Sequence, residues 1–213
     1  MGTTDNASVE LLAERLKDRL NLALNPGGIT IREVNVLYAS EHPLVGHFFN
    51  DGEAEPLDHS GEGDSINALG RWPGHEGEIN FVLGYYVEDG ETSKGFSPMP
   101  GEIYMGGSAG GHISIVTHIH MGEENVSSRA LVDVAVHELG HFFGLRHTSE
   151  IPGTDDGIED TPFCEDSVRA DTYWLCPDYG YILGPFSVDY YYASFTPQQM
   201  DVIRRYLEST PHR

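Results

Sequence analysis

Leucines 12, 16 and 20 recur at helical spacing within residues 8–24, and Asn25-Pro26-Gly27-Gly28 supplies the stop. Residues 29–38 (ITIREVNVLY) alternate as a strand with a change of phase near Glu33. Residues 41–78, rich in Gly, Asp, Glu and His, read as a long loop with a short helical turn near 65–70. Ile79 to Val87 is nearly continuous apolar sequence, the pattern of a strand buried on both faces. After a glycine- and proline-rich surface loop at 88–112, Ile113 to His120 alternates as a strand with one side exposed. A second helix is predicted from Ser127 or Ser128 through Leu131, Val134, His137 and His141 to Gly144. Residues 148–194 are mostly irregular, and Thr196-Pro197-Gln198-Gln199 is a capping box opening a last helix to about Leu207. No internal repeat or low-complexity linker interrupts this order. It predicts one α+β domain over 1–213: an upper half (about 1–145) with a twisted mixed sheet, mostly parallel, and two helices, and a loop-rich lower half (about 146–213) ending in a helix. A cleft between the halves is the natural place for a site.

Composition narrows the partners. Hydrophobic residues at 39% and aromatics at 10% of 213 residues suffice for a core without cross-links. Twelve basic against 34 acidic residues give a formal net charge of −22, which would repel phosphates and so argues against nucleic acid or an anionic membrane surface. No apolar run approaches the roughly 18 residues of a membrane span. Met1-Gly2-Thr3-Thr4-Asp5-Asn6 lacks the basic and apolar parts of a signal peptide, which leaves either a cytosolic protein or a processed mature segment.

The chemistry concentrates in His137-Glu138-Leu139-Gly140-His141-Phe142-Phe143-Gly144-Leu145-Arg146-His147. Histidines at i and i+4 project from one helix face, so both imidazoles reach one ion. Glu138 follows the first of them and can take a proton from a water that the metal acidifies. A helix that must stop just past His141 and turn back needs a left-handed residue, and Gly144 adopts that conformation without steric cost. The turn brings His147 to the same ion, and three neutral nitrogens with an open fourth position describe a catalytic zinc site.

HExxHxxGxxH resembles the metzincin clan of zinc endopeptidases. His147-Thr148-Ser149-Glu150, Asp160-Thr161-Pro162-Phe163-Cys164 and Cys176-Pro177-Asp178 are similar to the pappalysin-like branch, with a resemblance spanning about 113 to 207. The resemblance implies a metzincin-like fold with the active-site helix in the upper half. His137, His141 and His147 would be zinc ligands, with Glu138 as general base in extracellular proteolysis. It aligns Leu183, in Tyr181-Ile182-Leu183-Gly184-Pro185, with the methionine that lies under the three imidazoles in metzincins. Pro185 stands where the branch often has a tyrosine. The resemblance also favours a disulfide between Cys164 and Cys176 over two buried thiols, and a secreted mature chain whose signal peptide lies outside this sequence.

Three further features stay open at this level. Asp155, Asp156, Glu159, Asp160 and Thr161, with Glu165 and Asp166 beyond, form a solvated acidic loop by composition alone. The resemblance makes the first five candidate Ca²⁺ ligands. His118 and His120 are either two exposed strand histidines or substrate contacts on an edge that pairs with an extended peptide. Asp189 either caps a turn among the tyrosines or floors a pocket for Arg or Lys after the scissile bond. The expected partner is a protein or peptide substrate. The rival reading is a non-catalytic zinc-containing module that holds a peptide.

Overall fold

The computed structural model describes residues 6–41, 43, 72–75, 78–81, 97, 128–150, 154–164, 172–185 and 194–209. Three helices organise them. Helix α1 runs Asn6–Leu24 and ends in a 3-10 turn, Asn25–Gly27, after which Gly28 at φ 66° returns its N–H to the Asn25 carbonyl at 2.9 Å. Leu16, Leu20, Ala23 and Leu24 form its buried stripe, with Leu12 packed at the margin.

Helix α2 spans Ser128–Phe142. Val132, Val134, Ala135, Val136 and Leu139 are all buried, so this helix is enclosed on most of its circumference. It lies against α1, and Arg19 Nε donates to Asp133 Oδ1 at 2.7 Å across that contact. The end of α2 is a Schellman motif: Gly144, at φ 91°, donates to the His141 carbonyl at 2.8 Å, and Leu145 N donates to the Gly140 carbonyl at 3.0 Å.

Helix α3, Pro197–Ser209, starts with the predicted capping box. Thr196 Oγ1 accepts from Gln199 N at 3.2 Å while Gln199 Oε1 accepts from Thr196 N at 3.0 Å. Met200 and Ile203 are fully buried, and Met200 lies so close to Gly27 that a side chain at 27 would force the methionine tip to shift. Tyr206 packs edge-on against Phe142 and Phe143, with ring centroids 5.5 Å apart in both pairs. Phe195 N bonds to the Ala23 carbonyl at 3.1 Å, which ties the approach to α3 onto the end of α1.

The strand expected at 29–38 is not one: no residue in it belongs to a helix or strand. Its alternation is nonetheless real, with Ile29, Ile31, Val34, Val36 and Tyr38 half-buried and a break in phase at Arg32-Glu33. Asn21 is the reason the segment stays in place without a ladder. Its side-chain amide accepts from Ile31 N at 2.7 Å and donates to the Ile31 carbonyl at 3.2 Å, as a neighbouring strand would. Of the expected strand 79–87 only 79–81 are described, with Phe81 in an isolated bridge, and the expected strand 113–120 lies outside the described residues. The strands found among the described residues are instead β1, Ser149–Glu150, and β2, Thr154–Asp155, an antiparallel pair in the acidic loop with Ser149 opposite Asp155. Among the described residues, no helix is long and apolar enough to cross a membrane.

The ion pair of Arg19 and Asp133 is shielded, at 15% and 4% side-chain exposure, so truncating one partner costs the other a charged bond in a low-dielectric setting. Asp133→Ala is expected to lower unfolding free energy by about 3 kcal/mol. Chemical denaturation of both proteins checks this, and a change under about 1 kcal/mol would mean that this bond contributes no more than an exposed pair.

Candidate metal centre

His137 and His141 stand one turn apart on α2, and His147 follows the glycine turn that closes it. Two backbone carbonyls fix the first two rings. His137 Nδ1 lies 2.6 Å from the carbonyl of Ile182, and His141 Nδ1 lies 2.8 Å from that of Leu145. A carbonyl only accepts, so both Nδ1 atoms donate, and each neutral ring then carries its lone pair on Nε2. The three Nε2 atoms converge: 3.0 Å between His137 and His141, and 3.1 Å from each of them to His147.

Bare lone pairs facing each other at that distance repel, and a cation between them removes the conflict. Zinc at its usual 2.0–2.1 Å from nitrogen, in tetrahedral geometry, sets ligand atoms about 3.3 Å apart. The triangle therefore fits such an ion within a few tenths of an ångström. Burial, reinforced by the neighbouring His141 and His147, holds the His137 pKa well below its ordinary value, which keeps the ring neutral as a ligand must be. Glu138 is 6% exposed, and burial pushes its carboxyl up to about 8.

The turn 181–184, whose Ile182 carbonyl meets His137, is closed by Gly184 N donating to the Tyr181 carbonyl at 3.0 Å. Leu183 is fully buried there. It explains Gly140, a glycine inside a helix where alanine would be better by about 1 kcal/mol. A Cβ at 140 would stand 2.9 Å from Leu183 Cδ2 and 3.2 Å from Phe195 Cε1. Thr148, next to His147, donates its N–H to the Leu183 carbonyl at 3.0 Å and its hydroxyl to Asp178 Oδ2 at 2.7 Å. The cysteine pair is a disulfide, Cys164 to Cys176, with sulfurs 2.08 Å apart.

The candidate calcium ligands are distributed among the chain's own donors. Asp155 Oδ1 accepts from Gly157 N at 2.7 Å, and Asp156 Oδ1 accepts from Ile158 N at 2.9 Å. Thr161 Oγ1 lies 2.9 and 3.0 Å from the two Asp156 oxygens. Asp160 reaches away to α3, accepting from Thr196 Oγ1 at 2.6 Å and Gln198 N at 2.9 Å, while Glu159 meets Gln198 through its N–H. Among the described residues these carboxylates do not gather as a ligand group, whereas His137, His141 and His147 do. Asp156 lines a pocket of about 480 Å³ with Gly144, Arg146, Gln198 and Arg205, and none of the three histidines lines it. His118, His120 and Asp189 lie outside the described residues, as do Glu165 and Asp166.

No family model matches the chain, and neither a curated protein nor a solved structure does. The residue types at the site were legible in sequence, but the groups that aim them were not. The carbonyls of Ile182 and Leu145 have no sequence signature, and Asp178 was visible only as part of a Cys-Pro-Asp string.

Two tests follow from this geometry. Gly140→Ala should displace Leu183 and the turn that orients His137, weakening zinc binding at least tenfold. Competition with a chromophoric chelator measures it, and unchanged affinity would show that the turn does not aim the ligands. Burial first, and Asp155 second, raise the Asp156 carboxyl from 3.8 to about 6. A raised folded-state value favours the protonated form, so the contribution to stability is full below the unfolded value of 3.8 and is lost as pH rises through about 6. Asp156→Asn keeps the acceptor for Ile158 N, and its melting temperature should gain on the parent between pH 5 and 7.5. A constant difference across that window would refute the shift.

Proposed function

We propose that the chain is a zinc-dependent endopeptidase that hydrolyses peptide bonds with Glu138 as general base. The observation that carries this reading is the convergence of three Nε2 atoms at 3.0–3.1 Å, with two of the rings held by carbonyls in the tautomer that a metal needs. Three nitrogen ligands and an open position favour zinc and catalysis over a closed structural site. The spacing HExxHxxGxxH, with its likeness to metzincins, supports the same assignment.

Zinc held by these histidines would supply Lewis acidity, polarising the scissile carbonyl and making water acidic near neutral pH. The protein's residues do the rest. Glu138 accepts a proton from the attacking water as the C–O bond forms, then passes it to the amide nitrogen as the C–N bond breaks. Its burial makes it a stronger base than an exposed glutamate, and a neighbouring cation lowers its pKa again toward the working range. Ile182, Leu183 and Phe195 are buried in the floor of the site and keep water from the ligand side. The net charge of −22 favours a peptide over a polyphosphate substrate, and the disulfide favours an oxidising, extracellular compartment.

Cleavage of a denatured protein, abolished by a chelator and restored by zinc, tests the activity. Glu138→Ala should fold, keep one zinc per chain and lose about a thousandfold in turnover. Turnover that survives in this variant with its metal content verified would remove Glu138 from the chemistry.

A further inference from the structure

We infer that Asp178 is a positioning residue for His147, acting through Thr148. His137 and His141 are placed by a regular helix, but His147 lies beyond the glycine turn on chain that belongs to no helix or strand. Its position therefore depends on what holds the next residue. Thr148 is 1% exposed; its N–H bonds to the Leu183 carbonyl at 3.0 Å, and its hydroxyl bonds to Asp178 Oδ2 at 2.7 Å, with the Leu183 carbonyl a longer second acceptor at 3.3 Å. Leu183 neighbours Ile182, whose carbonyl aims His137, so the same turn sets the distance between the first and third ligands.

Asp178 is itself fixed from several sides. It is fully buried, and its carbonyl accepts from Tyr181 N at 3.1 Å and from the Tyr173 hydroxyl at 3.4 Å. Two residues earlier, Cys176 is joined to Cys164, whose N–H donates to Ser149 Oγ at 3.0 Å. Thr148 and Ser149 are thus gripped at the two ends of one disulfide-closed loop. The second carboxylate oxygen, Oδ1, is buried without a hydrogen-bond partner. Packing alone would be served better by an apolar side chain, because an unpaired buried oxygen costs stability. A carboxylate retained there is explained by the bond it offers to Thr148.

This inference rests on the metal reading, and its test separates the two. Zinc affinity is measured by chelator competition on the full chain, beside the apo-protein melting temperature. Thr148→Val should bind zinc about ten- to a hundredfold more weakly, as loss of support behind a ligand does, and Thr148→Ser should restore parent affinity. Because the valine variant strands the carboxylate and destabilises the fold, the double variant Thr148→Val with Asp178→Leu is the deciding one. It removes the orphaned charge, so its melting temperature should recover while its zinc affinity stays low. Affinity that returns with stability, or a Thr148→Val protein that binds zinc like the parent, would overturn the positioning role. A parent that binds no zinc would instead remove the metal reading itself.

Discussion

The bond from His137 Nδ1 to the Ile182 carbonyl joins residues 45 apart in the chain and decides which face of the imidazole chemistry is left free. With that nitrogen committed, the ring offers only Nε2, and the same holds for His141 against Leu145. Two rings fixed in this way present lone pairs to each other at 3.0 Å, an arrangement that favours a cation before any ion arrives. The backbone supplies the aim, and a mutation that moves the turn 181–184 changes the site without touching a ligand.

Two glycines make room for that arrangement by different means. Gly144 provides a positive φ, 91°, so that the chain reverses directly after His141. Gly140 provides absence of volume, letting Leu183 and Phe195 approach the helix between the two ligand turns. Two turns earlier on the same face, α2 is held by Arg19 through Asp133, one helical turn before His137. Helix α2 is therefore fixed along one face, by a charged bond at Asp133 and close packing at Gly140.

The parts of the fold written in periodicity or in local chemistry were readable before the structure: α1 from its leucines, α2 and its glycine stop from the motif, α3 from its capping box. Residues 29–38 show the limit of that reading. Alternation records which residues face inward, and it did so correctly down to the phase break, but it does not record what the backbone pairs with. Here the partner of Ile31 is the Asn21 side chain, a contact between residues whose types give no warning of it. The spacing of carboxylates in the acidic loop does not record their partners either. Carboxylates at close spacing serve a cation or nearby N–H groups equally well, and Asp155, Asp156 and Asp160 meet N–H groups.

Asp160 illustrates what such a bond does beyond its own strength. By accepting from Thr196 and Gln198 it completes the start of α3 from a different part of the chain, 36 and 38 residues away. The acidic loop and the last helix then open and close as one cooperative unit, since neither can leave without exposing the other's unpaired groups. Amide protons in the first turn of α3 would exchange in step with those of the loop, although the two share no secondary structure.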